Sequence, residues 1–170
     1  MENIILIGMP GAGKSTVGVI LAKVMGFQFI DSDLLIQEQE QMLLQDIIAK
    51  KGLQGMLDIE NQVNCDILKD RCVIATGGSV IYGKQAMEHL RKIGVVVYIK
   101  WDFVTIDNRL ENIKQRGVVF REDQTLEALY EERCPLYEKY AHIIINGEGE
   151  NEESIMEKIV TEVRLYWNKG

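Results

Sequence analysis

Short, mostly apolar and β-branched runs alternate along this chain with longer segments whose apolar residues recur at three- and four-residue spacing. The runs at 3–8, 28–31, 72–76, 95–99 and 142–146 read as strands. The first of them is a short apolar, β-branched run rather than an alternating one, which is the pattern of a parallel strand buried on both faces. Helical spacing predicts helices over 14–25, 33–41, 43–51, 56–69, 84–92, 102–113, 126–140 and 152–168. In the first of these, Val17, Ile20, Leu21, Val24 and Met25 fall on one side and the pattern stops at Gly26. Strands alternating with helices predict an α/β fold, a five-stranded parallel sheet with helices on both faces.

Between the first strand and the first helix lies Gly8-Met9-Pro10-Gly11-Ala12-Gly13-Lys14-Ser15-Thr16, which matches G-x-x-x-x-G-K-[S/T]. Small residues there let consecutive backbone N–H groups turn inward around a phosphate, and the helix that follows adds its positive end. Lys14 is expected to reach the β- and γ-phosphates, and the Ser15 hydroxyl to ligate Mg²⁺. The strand before and the helix after are the context this motif needs, so the chain is expected to bind a nucleoside triphosphate.

With 170 residues and 46% hydrophobic content, the chain is long enough for one domain over 1–170 and too short for a second comparable core. No linker-like or repetitive stretch divides it. A net charge of −7 opposes binding to nucleic acid or to an anionic membrane, because both are polyanions. No apolar run is long enough to span a bilayer, and the N-terminus leads straight into the phosphate loop without a signal peptide, so a cytoplasmic protein is expected. Cys65, Cys72 and Cys134 are odd in number and scattered, which suggests neither a disulfide framework nor a zinc site. His89, His142, Trp101 and Trp167 are expected to have structural roles.

In a sheet of this kind ligands gather beyond the carboxyl ends of the strands. After the second strand comes Asp31-Ser32-Asp33, and after the third Thr76-Gly77-Gly78-Ser79. One carboxylate of the acidic pair can serve Mg²⁺ or its waters while the other orients an acceptor hydroxyl and takes its proton. The plainer alternative is a helix N-cap at Ser32 or Asp33. Gly77 and Gly78 permit close approach of backbone to a ligand, or simply form a turn. Lys114, Arg116 and Arg121 flank Gly117 in a stretch of weak periodicity, which suggests a mobile lid near 113–124 that closes cations over the triphosphate, or else a solvated charged loop.

Taken together, GMPGAGKST with Gly18 and Leu21-Ala22, then Asp31-x-Asp33, Thr76-Gly77-Gly78, Arg109-Leu110, Arg116, and Arg133-x-Pro135-x-Tyr137 with Ala141, resemble the shikimate kinase family over essentially the full chain. That resemblance implies a P-loop NTPase fold of the nucleoside monophosphate kinase type, with ATP and Mg²⁺ as cofactors. It implies a nucleotide site of Gly11, Ala12, Gly13, Lys14, Ser15, Thr16, Arg109 and Arg116, with Arg109 stacked near adenine and residues 146–151 edging the base. Ser15 and Asp31 would serve the metal. Asp33, Glu60, Gly77, Gly78, Ser79 and Arg133 would form the acceptor site, together with position 57, in a helical region near 33–60. Lys14, Asp33 and Arg116 would carry the catalysis, and Arg133 would grip the acceptor carboxylate.

Three positions depart from the family pattern. Leu57 stands where an arginine normally helps Arg133, Ser79 replaces a third glycine, and the lid reads Arg116-Gly117-Val118-Val119. Losing one of two carboxylate clamps costs about 1.5–3 kcal/mol of charge-assisted hydrogen bonding. Shikimate is the leading acceptor, a small molecule with hydroxyl and carboxylate. A hydroxy amino acid such as homoserine, whose ammonium would supply the missing charge beside Glu60, is the alternative. A catalytically weakened nucleotide-binding regulatory protein is another, and a nucleoside or nucleotide kinase ranks below both. A monomer or weak homo-oligomer is expected.

Overall fold

The computed structural model describes residues 1–111 and 123–170. Its elements run β1 (Asn3–Ile7), α1 (Lys14–Met25), β2 (Gln28–Asp31), α2 (Ser32–Glu40), α3 (Leu44–Cys65), β3 (Cys72–Ala75), a 3₁₀ turn (Val80–Tyr82), α4 (Lys84–Ile93), β4 (Gly94–Lys100), α5 (Phe103–Glu111), α6 (Leu126–Tyr140), β5 (Ile143–Asn146) and α7 (Glu152–Lys169). The strands form one sheet in the order β2-β3-β1-β4-β5, parallel at every pairing. Each expected strand is found within a residue or so of its expected ends.

β1 lies at the centre, and Ile4, Ile5, Leu6 and Ile7 are fully buried there, so its unbroken apolar run is what burial on both faces requires. At its amino end the buried Asn3 ties it to both neighbours. The amide nitrogen donates to the carbonyls of Lys69 (2.7 Å) and Ile93 (2.9 Å), and the amide oxygen accepts from the N–H of Cys72 at 2.9 Å. Helices α1 and α7 pack on each other, as do α3 and α4.

The two helices expected over 43–51 and 56–69 are both present but joined, with Gly52 (φ 74°, ψ 177°) breaking the helical path inside α3. The second segment stops at Cys65 rather than at 69, and Ile67 beyond it turns into the core. Ile36, Leu44, Ile47, Met56 and Val63 make a small cluster of their own under α2 and α3, apart from the main core along the sheet. The acceptor-side helices thus carry a separate apolar support. The lid expected near 113–124, with Lys114, Arg116, Gly117 and Arg121, lies outside the described residues except for Asp123 and Gln124.

Candidate active site

The loop after β1 is shaped by left-handed backbone at Gly11 (φ 82°) and Gly13 (φ 85°), a conformation that costs a residue with a Cβ but not glycine. Its carbonyls are tied down one by one. The Lys14 ammonium donates to Gly8 O at 2.7 Å and to Met9 O at 2.8 Å. Arg109 donates to Gly11 O at 3.2 Å, and the Trp101 indole N–H donates to Ala12 O at 3.0 Å. With the carbonyls so engaged, the opening of α1 carries neither a capping side chain nor an acidic residue in its first turn. An uncapped helix N-terminus of this kind is a ready anion site. Burial lowers the Lys14 ammonium to about 8, with Asp33 pulling the other way. A triphosphate beside it would raise it again.

Arg109 and Trp101 brace this loop from outside. The guanidinium lies 4.2 Å from the centre of the indole, a cation–π contact, and reaches Glu152 at 3.9 Å. Trp101, expected only as packing, therefore holds both the loop and the arginine. Its position directly after β4, at a ligand-bearing strand end, was the sequence signal for this. Ser15 and Thr16 are exposed at the start of α1.

Asp31 plays two parts. One carboxylate oxygen accepts from the N–H groups of Asp33 (3.0 Å) and Leu34 (3.3 Å), so Asp31 is the N-cap of α2, where a cap at Ser32 or Asp33 was the alternative considered. The other oxygen accepts the Ser15 hydroxyl at 2.9 Å, which brings the hydroxyl and the carboxylate expected to serve a metal side by side. Mg²⁺ takes one or two protein oxygens and completes its shell with water and phosphate, and this donor pair fits that need. Asp33 faces Gly77. Desolvation, reinforced by Asp31 and opposed by Lys14, raises its carboxyl to about 6.

Gly77 and Gly78 sit where backbone and functional groups crowd most. A Cβ on Gly77 would come within 2.6 Å of Glu60 Oε2 and 2.7 Å of Asp33 Oδ1. A Cβ on Gly78 would meet Pro10 of the phosphate loop at 2.6 Å and Arg133 at 3.0 Å. The glycine pair thus joins the phosphate loop to Asp33, Glu60 and Arg133. Tyr137, stacked on Tyr98 at 5.0 Å, donates its hydroxyl to Gly78 O at 2.6 Å. Arg133 is 1% exposed, donates to the Tyr82 hydroxyl at 3.4 Å, and lies over that ring at 5.3 Å. Sequence reasoning assigned no role to Tyr82, whose 3₁₀ turn was not expected.

Glu60 is equally buried. Ser79 donates its hydroxyl to Oε1, while Oε2 has no hydrogen-bond partner among the described residues. Burial raises the Glu60 carboxyl to about 7, against the opposing pull of the Ser79 hydroxyl. Leu57, one turn earlier on α3, packs against the small cluster of α2 and α3. Of the expected site residues, all but Arg116 fall within the described residues. His89 and His142 have structural partners, Ile67 O at 2.8 Å and the Val96 N–H at 3.0 Å. Among the described residues no helix is long and apolar enough to cross a membrane.

Comparison with known proteins agrees with this geometry. The family model described as "Shikimate kinase" matches residues 10–164. A shikimate kinase of Thermodesulfovibrio yellowstonii is 37% identical over 99% of this chain and 98% of its own length. One from Sulfurihydrogenibium sp. is 34% identical over 96% of this chain and 99% of its own. The structure of shikimate kinase from Acinetobacter baumannii in complex with shikimate superposes with a TM-score of 0.88 at 31% identity, covering 98% of this chain and 94% of that one. With the phosphate loop, the acidic strand end and the buried arginine meeting at one end of a parallel sheet, the chain belongs to the shikimate kinase family, ATP-dependent phosphotransferases that use an alcohol group as acceptor.

Proposed function

We propose that this chain transfers the γ-phosphate of ATP to a hydroxyl of shikimate, with the site residues divided between two ends of one cleft. The observation that carries this reading is the glycine pair 77–78, bordered on one side by Pro10 of the phosphate loop and on the other by Asp33, Glu60 and Arg133. The loop and Lys14 hold the phosphates, and Arg133 holds the acceptor carboxylate. Asp33 receives the hydroxyl proton as the oxygen attacks. A carboxyl raised to about 6 is a better base than an ordinary aspartate and remains ionised at neutral pH. The protein's contribution is alignment and charge neutralisation rather than a covalent intermediate.

Ser15 and Asp31 would hold Mg²⁺, which supplies neutralisation of charge on the phosphate oxygens when bound. Arg116 would act on the γ-phosphate from a lid near 113–124, and Arg109, on its Trp101 platform, would stack on adenine. The chain would work as one domain in the cytoplasm, as a monomer or weak homo-oligomer, and its three free cysteines suit a reducing compartment.

An ADP-release assay with Mg-ATP and shikimate tests the reading, run on wild type and Asp33→Asn. The variant is expected to lose roughly 10²–10⁴ in kcat, the range for a positioned proton acceptor, while ATP affinity stays within about threefold. Near wild-type turnover in Asp33→Asn would remove that carboxylate from the mechanism.

A further inference from the structure

The second oxygen of Glu60 is the feature that the reaction with shikimate leaves unused. Glu60 is 2% exposed, its Oε1 is taken by Ser79, and its Oε2 has no partner among the described residues. A buried carboxylate oxygen without a donor costs stability, so such a group persists where a ligand completes it. The neighbouring cations are engaged elsewhere. Lys14 is bound to Gly8 O and Met9 O, and Arg133 is held against Tyr82. Leu57, at the preceding turn of α3, is apolar and packs on the small cluster.

Oε2 also lies against the backbone of the proposed acceptor site. It and Asp33 Oδ1 both border the point above Gly77 where a side chain would begin, while Arg133 borders the corresponding point above Gly78. Two acidic oxygens over one residue and a guanidinium over the next match a molecule that carries an ammonium and a carboxylate on a single carbon. The charge balance agrees. Among the described residues Arg133 and Lys14 act on Glu60, and Lys14 on Asp33; with Lys14 given to the phosphates, an acceptor that brings only a carboxylate leaves the pocket with excess negative charge, and an ammonium removes it. Its three N–H donors can serve both acidic oxygens.

We infer that the acceptor pocket takes small hydroxy amino acids as a second class of acceptor beside shikimate, the carboxylate resting on Arg133 and the ammonium on Glu60 Oε2 and Asp33. The inference rests on the acceptor site proposed above. In the transfer, the alcohol oxygen bonds to the γ-phosphorus as the bond from that phosphorus to the β,γ-bridging oxygen breaks. ADP leaves, and the hydroxyl proton passes to Asp33.

The test measures ADP release and phosphorylated product with Mg-ATP and L-homoserine, L-serine, L-threonine, 4-hydroxybutanoate or shikimate, on wild type, Glu60→Gln and Leu57→Arg. Wild type is expected to phosphorylate at least one of the amino acids above the acceptor-free background. If homoserine is that acceptor, 4-hydroxybutanoate, which lacks only its ammonium, is expected to have a kcat/KM at least tenfold lower. In both variants the ratio of amino-acid to shikimate kcat/KM is expected to fall at least tenfold. Glu60→Gln removes the charge, and Leu57→Arg supplies an internal cation that occupies it; Leu57→Arg decides alone if Glu60→Gln does not fold. Turnover of shikimate but of no amino acid overturns the inference and leaves the shikimate reading standing. Amino-acid turnover with a ratio that neither variant changes overturns it as well. Turnover of none of these acceptors removes both.

Discussion

Replacing Glu60 by glutamine takes one titrating group out of the interior, and the surroundings of that group set the sign and size of the effect. Burial, joined by the Asp33 carboxylate, lifts Glu60 from 4.5 to about 7, against the pull of Ser79, Arg133 and Lys14. In the unfolded chain the same carboxyl titrates near its ordinary value. Between the two values the native state holds a proton that the unfolded state does not, so this group's penalty is absent below about 4.5, grows as pH rises, and is complete above about 7. At about 1.4 kcal/mol for each pH unit, the wild type loses about 2 to 3 kcal/mol between pH 5 and pH 8 on this account. Glutamine does not titrate, and its amide nitrogen places donors where Oε2 has no partner among the described residues. Asp33, also raised, titrates in both proteins; its repulsion by Glu60 is lost in the variant, which adds to the widening in the same direction. The stability advantage of Glu60→Gln is therefore expected to widen as pH rises. For a chain of this size that is a change of roughly 5–10 °C in the difference of melting temperatures. Thermal unfolding of both proteins without ligands, at pH 5, 6, 7 and 8, reads it directly. A difference that stays constant, or narrows toward pH 8, would refute the claim that Glu60 is a proton-holding carboxyl in the native state.

Gly77→Ala drives a methyl to 2.6 Å from Glu60 Oε2 and 2.7 Å from Asp33 Oδ1. Its kcat/KM for the acceptor is expected to fall about 100-fold or more, a disturbance of alignment, while calorimetry shows ATP binding nearly unchanged. Trp101→Leu removes the N–H on Ala12 O and the platform under Arg109, and is expected to raise the dissociation constant for ATP about tenfold. Trp101→Phe keeps a ring under the guanidinium and is expected to recover part of that loss, which the same titration shows. Tyr137→Phe withdraws the hydroxyl 2.6 Å from Gly78 O and is expected to lower unfolding stability by about 1 kcal/mol in urea melts.

The strands were legible because their cause is local: residues 4–7 and 95–99 are apolar runs that only a doubly covered sheet can bury. The order β2-β3-β1-β4-β5 was not, because it depends on pairings such as Ile5 with Ile74 and Val96, far along the chain. The phosphate loop could be read from spacing because its chemistry lies within one short segment. Trp101 could not be read so, since its partner at Ala12 is 89 residues away and its place after β4 marks a strand end without naming that partner. Leu57 and Ser79 stood out in the sequence as two separate departures. Folding connects the region through Glu60, whose Oε1 the Ser79 hydroxyl occupies while Leu57 turns to the small cluster. The two helices that the sequence suggests over 43–51 and 56–69 were legible because Gly52 breaks the helical path between them with a positive φ.

Asn3 has a consequence at the far end of the strand it begins. By locking β1 to both neighbours at its root, it makes the central strand the last to open, so the amides of Ile4 to Ile7 should exchange with solvent deuterium only when the whole molecule unfolds. The nucleotide grip is an extension of that strand, whereas α2 and much of α3 stand on their own small apolar cluster. Substitutions in those helices can therefore retune which alcohol is selected while the machinery that holds ATP stays intact.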